Sequence, residues 1–137
     1  MKRRVVSVIA ILCLAAMTFS LVSCGATTLM DFKRKLGADY EVSIYKGDTD
    51  MQKLLENFGI DVVEFEVTGV LHGEHKTEAQ YIGIIECASK DAAAKVQKTL
   101  AALFEELGWR AGGYYVDLDE FFVLFGTRKA IQTARGR

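Results

Sequence analysis

The first candidates for chemistry are two histidines that stand three residues apart, in the segment His72-Gly73-Glu74-His75. Two histidines at this spacing can ligate zinc when a turn brings them together and a third ligand is supplied. Glu78 lies nearby, but the chain has no other histidine and no pair of cysteines accompanies these two. The segment His72 to Glu78 is polar and typical of a loop, so we expect neither a metal nor another cofactor here.

Three carboxylates, Asp117, Asp119 and Glu120, form a second candidate site. A calcium loop needs more oxygen ligands and a glycine at its sharp turn, both of which this segment lacks. Glycoside cleavage needs two carboxyl groups at a defined separation, one of them with a raised pKa. The pattern favours an acidic turn between two short strands.

Aromatic residues are concentrated between positions 109 and 125. On a strand, neighbouring side chains point to opposite faces of the sheet. Tyr114 and Tyr115 are adjacent, and so are Phe121 and Phe122. If only one face of the sheet is buried, one member of each pair lies outside the core, unless the last helix or a partner covers it. This predicts an interaction surface for an apolar ligand, a sugar or a protein, the alternative being a core strand with aromatic edges. Its candidate residues are Trp109, Tyr114, Tyr115, Phe121 and Phe122.

The motifs of common enzymes are missing. We find no Gly-x-Ser-x-Gly elbow, no phosphate loop and no dinucleotide-binding glycine pattern. Cys87 ends the apolar run Tyr81 to Cys87 without a neighbouring CxxC, and is typical of a small buried hydrophobic residue. We therefore expect no catalytic residues, and an envelope hydrolase is the less favoured function.

The N-terminus has the features of an export signal. Lys2, Arg3 and Arg4 precede an uncharged apolar or small run that ends in Leu21-Val22-Ser23-Cys24. This ending resembles the lipobox of bacterial lipoproteins, which implies cleavage after Ser23 and lipid attached to Cys24. Residues 1–23 would then be a signal peptide and residues 24–137 one globular domain with a short tether. The alternative is an uncleaved anchor, because the run is just long enough to span a bilayer.

Either form places the domain outside the cytoplasm, held at the cell membrane, with an outer membrane left open. The chain has 17 Lys and Arg against 18 Asp and Glu, and three of the bases lie in the signal. This composition and this location argue against nucleic-acid binding. Of the 14 remaining bases, seven lie in two clusters, at Lys33 to Lys35 and at Arg128 to Arg137, and the seven between them are outnumbered by acids. These two ends would rest on an anionic membrane surface or form two solvated helix faces.

Hydrophobic periodicity predicts alternating strands and helices. Thr49 with Gln52 suggests a capping box for the first helix, and Ser89 and Thr127 are candidate caps for the next two. A helical turn over Asp31 to Leu36 comes first. The predicted strands are Glu41–Lys46, Asp61–Leu71, Tyr81–Cys87, and the pair Tyr114–Leu118 and Phe121–Phe125; the helices begin near Thr49, Asp91 and Arg128.

The order β-α-β-β-α-β resembles the split βαβ, or ferredoxin-like, sandwich, with two helices on one face of an antiparallel sheet. The expected fold is therefore α+β with a short helix at its C-terminal end. Since this fold serves many functions, it implies no activity. The sequence favours a membrane-anchored, non-catalytic binding or adaptor module with an envelope protein partner. The alternative is a small-ligand binding or sensing domain that uses residues 109–125.

Overall fold

The computed structural model describes residues 27–137, so the predicted signal peptide and Cys24 lie outside the described residues. Four helices and five strands follow one another along this part of the chain. The helices are α1 (Leu29–Leu36), α2 (Asp48–Leu55), α3 (Lys90–Leu107) and α4 (Arg128–Ala134), with a short 3-10 turn at Glu56–Phe58. The strands are β1 (Tyr40–Tyr45), β2 (Val67–His75), β3 (Tyr81–Cys87), β4 (Tyr114–Asp119) and β5 (Phe122–Thr127).

The strands form one sheet in the order β1-β2-β3-β5-β4, and every neighbouring pair is antiparallel. The α+β class is thus confirmed, but the strand order differs from the ferredoxin-like order expected. In a βαβ unit the helix connects two parallel strands. Here α2 connects β1 to β2, which is the antiparallel neighbour of β1. Helix α3 connects β3 to β4, and these two strands are parallel but separated by β5.

Helices cover both faces of the sheet, so the prediction of a one-sided sandwich was wrong. α2 and α3 pack with Val70, Ile85 and Val123 on one face. α1 and α4 pack with Leu71, Ile84 and Leu124 on the other. The sequence analysis predicts both short helices, α1 and α4, but not that they lie together on the second face of the sheet.

The uniformly apolar run of β3 has a simple explanation in this arrangement. β3 is the middle strand of five, and Ile82, Ile84 and Ile85 are all at most 2% exposed. A strand that is buried on both faces has no need for alternating polar residues.

Strand β2 begins and ends later than the sequence predicts. The Asp61 carboxylate accepts hydrogen bonds from the backbone N–H groups of Val63 and Glu64, which folds this stretch into a turn. Glu66 then adopts a positive φ of 55° before the strand starts. At the other end, β1 pairs with β2 as far as His75, so the expected loop from His72 is in fact strand.

The three predicted caps have different outcomes. Ser89 caps α3 as expected, accepting a hydrogen bond from the Ala92 N–H. Thr49 does not cap α2, whose cap is Gly47, and the Gln52 side chain instead binds the backbone of the following loop, where it accepts from Val62 N–H. Thr127 stands at the start of α4, but its hydroxyl bonds to the backbone of Tyr81.

Candidate functional site

An apolar groove opens between α2 and α3, above one half of the sheet. Its volume is about 290 Å³, and its walls are almost entirely apolar. Leu54 and Phe58 line it from α2 and the turn after it, and Phe104 from α3. The sheet contributes the base of the groove, which includes Val70, His72 and Gly83.

The floor of the groove depends on a glycine in the central strand. Gly83 of β3 pairs in register with Phe125 of β5. A Cβ on Gly83 would lie 2.3 Å from Cζ of Phe125, so the aromatic ring lies directly over this position. Because Gly83 has no side chain, the Phe125 ring can lie against the backbone of β3 and form part of the floor.

A chain of aromatic contacts continues from this floor to the rim. The Phe125 ring centroid lies 5.5 Å from that of Phe58 and 6.2 Å from that of Phe104. Phe104 contacts Trp109 at 5.1 Å, and Trp109 contacts Tyr114 at 5.9 Å. All four pairs are edge-on or tilted, which is the favoured geometry for aromatic rings. The wall is therefore packed and largely preformed.

Trp109 is held at the rim by the end of α3. Gly108 takes the left-handed conformation, with φ of 72°, and its N–H donates to the Glu105 carbonyl. The Trp109 N–H donates to the Phe104 carbonyl at 2.9 Å, which completes a Schellman motif. The hydrophobic contact that accompanies this motif is the Phe104–Trp109 ring pair. A short local segment thus fixes the rim of the groove.

The structure divides the five predicted interaction residues among four places. Trp109 and Tyr114 line the groove. Tyr115 faces the opposite side of the sheet, where the Arg128 guanidinium lies 4.4 Å from its ring centroid. Phe121 is 40% exposed in the β4–β5 turn. Phe122 is only 4% exposed and packs on Phe32 of α1, so it belongs to the core and lies on no surface.

Several groove residues were not predicted as site residues from the sequence. The spacing of Leu54 and Phe58 is typical of the buried face of a helix, and so is the position of Phe104 in α3. Gly83 and Phe125 come together only through the pairing of β3 with β5. One sequence signal could have predicted the rim of the groove. Phe104 stands four residues before the helix-ending Gly108 and Trp109 directly follows it, which is the spacing of the hydrophobic contact in a Schellman motif.

The two histidines do not form a joint site. They are three residues apart in a strand, so their side chains point to opposite faces of the sheet. His72 lies at the groove, whereas His75 contacts the Tyr40 ring at 5.0 Å on the other side. Nδ1 of His75 accepts hydrogen bonds from the backbone N–H groups of Thr77 and Glu78. Within residues 27–137, no group of three His, Cys, Asp or Glu side chains could hold a metal ion.

The three carboxylates Asp117, Asp119 and Glu120 have structural roles in β4 and in the turn that follows it. Asp117 lies on β4 and forms an ion pair with Arg135 of α4 at 3.2 Å. Asp119 is the last residue of the same strand, and Glu120 turns the chain with a positive φ of 57°. The turn is therefore made by Glu120 and Phe121, one residue later than the sequence suggested.

Cys87 is a poor nucleophile. It is 3% exposed, and burial raises the pKa of its thiol to about 12, with the charges of Glu66 and Glu86 adding to the effect. Thiols react as thiolates. The thiol therefore stays protonated at neutral pH, which agrees with the sequence interpretation of Cys87 as a buried hydrophobic residue.

Comparison of the chain with models of protein families, with curated proteins and with solved structures found no match. In the part of the chain that the structure describes, no helix has both the length and the apolar character needed to cross a membrane.

Proposed function

We propose that this chain is a lipid-anchored, non-catalytic binding module of the cell envelope whose groove takes a small apolar ligand. Cys24 would carry the lipid, and the globular part would lie on the extracytoplasmic side of the membrane. The lipobox-like ending Leu21-Val22-Ser23-Cys24 supports the anchor. The groove between α2 and α3 supports the binding activity.

The apolar groove is the observation that carries this proposal. Binding sites for small molecules are concave and mostly apolar, with volumes from about 300 Å³ upward. The groove, at about 290 Å³, is close to the lower limit of that range. The ligand class that fits is therefore a compact aromatic group or a short acyl chain, without a charged group inside the groove.

The shape of the groove favours a small ligand over a flat protein partner. Six large hydrophobic residues are markedly exposed in the described structure, and of these only Trp109 lines the groove. The other five belong to five different helices, strands or turns, at Met30, Val63, Leu107, Leu118 and Phe121. A broad docking surface would join such residues into one contiguous patch.

Trp109 provides a direct test, because it is the only tryptophan of the chain and lies at the rim of the groove. The probe is N-phenyl-1-naphthylamine, a neutral aromatic fluorophore that accepts excitation energy from tryptophan. We expect saturable energy transfer from Trp109 to the bound probe. Leu54→Gln places an amide in the apolar wall and should weaken binding about ten-fold, since an unpaired amide in an apolar site costs about 1–3 kcal/mol.

Leu107→Gln is the matched control. Leu107 is also on a helix, but it is 50% exposed and does not line the groove. This variant should bind the probe as the parent protein does, and both variants should have the circular dichroism of the parent. Absence of energy transfer in the parent protein, or the same affinity in both variants, would contradict the proposed groove function.

A further inference from the structure

The two basic segments of the sequence come together on one outer face of the molecule. Lys33, Arg34 and Lys35 belong to α1, and the second basic segment, residues 128–137, contains α4. Both helices cover the same face of the sheet. A Cβ on Gly136 would lie 3.7 Å from Cδ of Lys35, so this lysine side chain lies beside the end of α4. We call the surface of these two helices the basic layer; its seven bases are Lys33, Arg34, Lys35, Arg128, Lys129, Arg135 and Arg137.

The basic layer keeps a clear excess of positive charge after its ion pairs are counted. Arg34 pairs with Asp31, Lys129 with Glu78 and Arg135 with Asp117. Four bases of the layer form no ion pair with any described residue, namely Lys33, Lys35, Arg128 and Arg137. Arg128, Arg135 and Arg137 line a surface cavity of about 160 Å³ together with Asp117, whose carboxylate is paired with Arg135. The other two arginines form no ion pair with any described residue, so the cavity has a net positive charge that favours an anionic group.

The opposite layer has no such excess. Within Asp48–Phe58, which contains α2, three acids face one base, and within α3 three acids face three bases. The turn between α2 and β2 adds Asp61, Glu64 and Glu66 without a base. The fold therefore places the excess of basic residues on one side of the sheet, and the helices and turn on the other side have no such excess.

We infer that the basic layer docks on the anionic surface of the bilayer to which the chain is tethered. Charge complementarity supports this occupant, since clustered bases beside a membrane anchor bind anionic lipid headgroups. The place of the anchor also supports it, because α1 begins at Leu29, only five residues after Cys24. Met30, which is 48% exposed, lies one helical turn before Lys33 and Arg34 and would meet the interface first. The groove, on the other face of the sheet, then faces away from the bilayer.

This inference rests partly on the proposed lipid anchor, so its test separates charge from lipid. A chain that starts at Gly25 lacks Cys24, yet it retains both buried clusters, all of whose residues lie between Leu29 and Ala134. Its binding is measured by sedimentation with vesicles of phosphatidylglycerol in phosphatidylcholine and with vesicles of phosphatidylcholine alone. We expect binding to the anionic vesicles only, and weaker binding as salt is raised.

Two matched double variants assign the surface. Lys33→Gln with Lys35→Gln removes two charges from the basic layer, whereas Lys95→Gln with Lys98→Gln removes two exposed charges from α3 on the other side. At about five-fold for each charge, the first pair should weaken binding about 25-fold, and the second should leave it nearly unchanged. Circular dichroism confirms that both variants are folded.

Three outcomes would overturn the inference: no binding to anionic vesicles, equal binding to neutral vesicles, or an equal loss in the two double variants. Stronger binding to a soluble polyanion such as single-stranded DNA than to the anionic vesicles would also overturn it. None of these results bears on the proposed groove function, which is tested in solution with the fluorescent probe.

Discussion

At the scale of single residues, the glycines of the central strands show what local sequence cannot reveal. A Cβ on Gly126 would lie 2.1 Å from the Tyr81 carbonyl oxygen, and Gly126 has a positive φ of 143°. Gly83 is similarly confined by the Phe125 ring. In each case the neighbour that requires glycine comes from another strand, so the requirement appears only once the register of β3 and β5 is known.

Cys87 gives a prediction about stability and pH. Its pKa is raised to about 12 in the folded protein, well above the pKa of about 8.5 for a free thiol in an unfolded chain. The unfolded state therefore loses this proton first as pH rises. The thiol costs no stability below about pH 8.5, and stability then falls as pH rises toward 12.

The measurement is urea unfolding of the parent protein and of Cys87→Ala at pH 7 and at pH 10. The difference in unfolding free energy between the two proteins should shrink by about 1–2 kcal/mol at the higher pH. Other titrating groups are common to both proteins and cancel in this comparison. A difference that stays constant across this range would show that the thiol titrates normally in the fold.

At the scale of elements, most helices and strands were predicted close to their observed bounds, including the short helices α1 and α4, and strand β2 was the main exception. Helix α3 has a full apolar stripe, a serine cap and a terminal glycine, and it was predicted to within one residue. Strand β2 was misplaced because its alternating pattern extends back over the Asp61 turn. As a result the histidines were expected in a loop, although they lie in a strand and face opposite ways.

The packing of α1 and α4 on the second face of the sheet was not predicted, and a substitution of Phe32 measures how much this packing stabilises the fold. Phe32 of α1 is 1% exposed and packs on Phe122 at 5.0 Å between ring centroids. Phe32→Ala should lower the unfolding free energy by about 3–5 kcal/mol, because it removes a large buried side chain and leaves a cavity.

Met30→Ala is the control on the same helix, since Met30 is 48% exposed. It should change the unfolding free energy by less than about 0.5 kcal/mol in the same denaturant titration. If Phe32→Ala proved as mild as Met30→Ala, the packing of α1 on the sheet would contribute little to the fold, and the three-layer description would fail.

At the scale of the whole molecule, the sheet separates two surfaces of different character. One side has the basic layer, and the other has the apolar groove between α2 and α3. Sequence reasoning identified both basic segments and the aromatic segment, but it could not predict that α1 and α4 lie side by side. It also could not separate Trp109 and Tyr114 from Tyr115 and Phe122, because that depends on which face of the sheet each helix covers.

In the proposed function, each of these two surfaces has a separate role. The lipid on Cys24 and the basic layer would hold the chain against the bilayer. The groove would then be presented to the envelope space, where it can take an apolar ligand. In this proposal the anchor would determine where the module acts, and the apolar groove would determine what it binds.

Native mass spectrometry of the full-length protein, extracted from membranes in mild detergent, tests this account most directly. We predict a mass for residues 24–137 plus diacylglycerol, with or without a further acyl group, and a small apolar molecule retained by the parent but not by Leu54→Gln. Cys24→Ala should give the uncleaved chain. An unprocessed mass of 137 residues for the parent protein would contradict the lipid anchor, and a processed chain that retains another protein through the groove would contradict the small-ligand site.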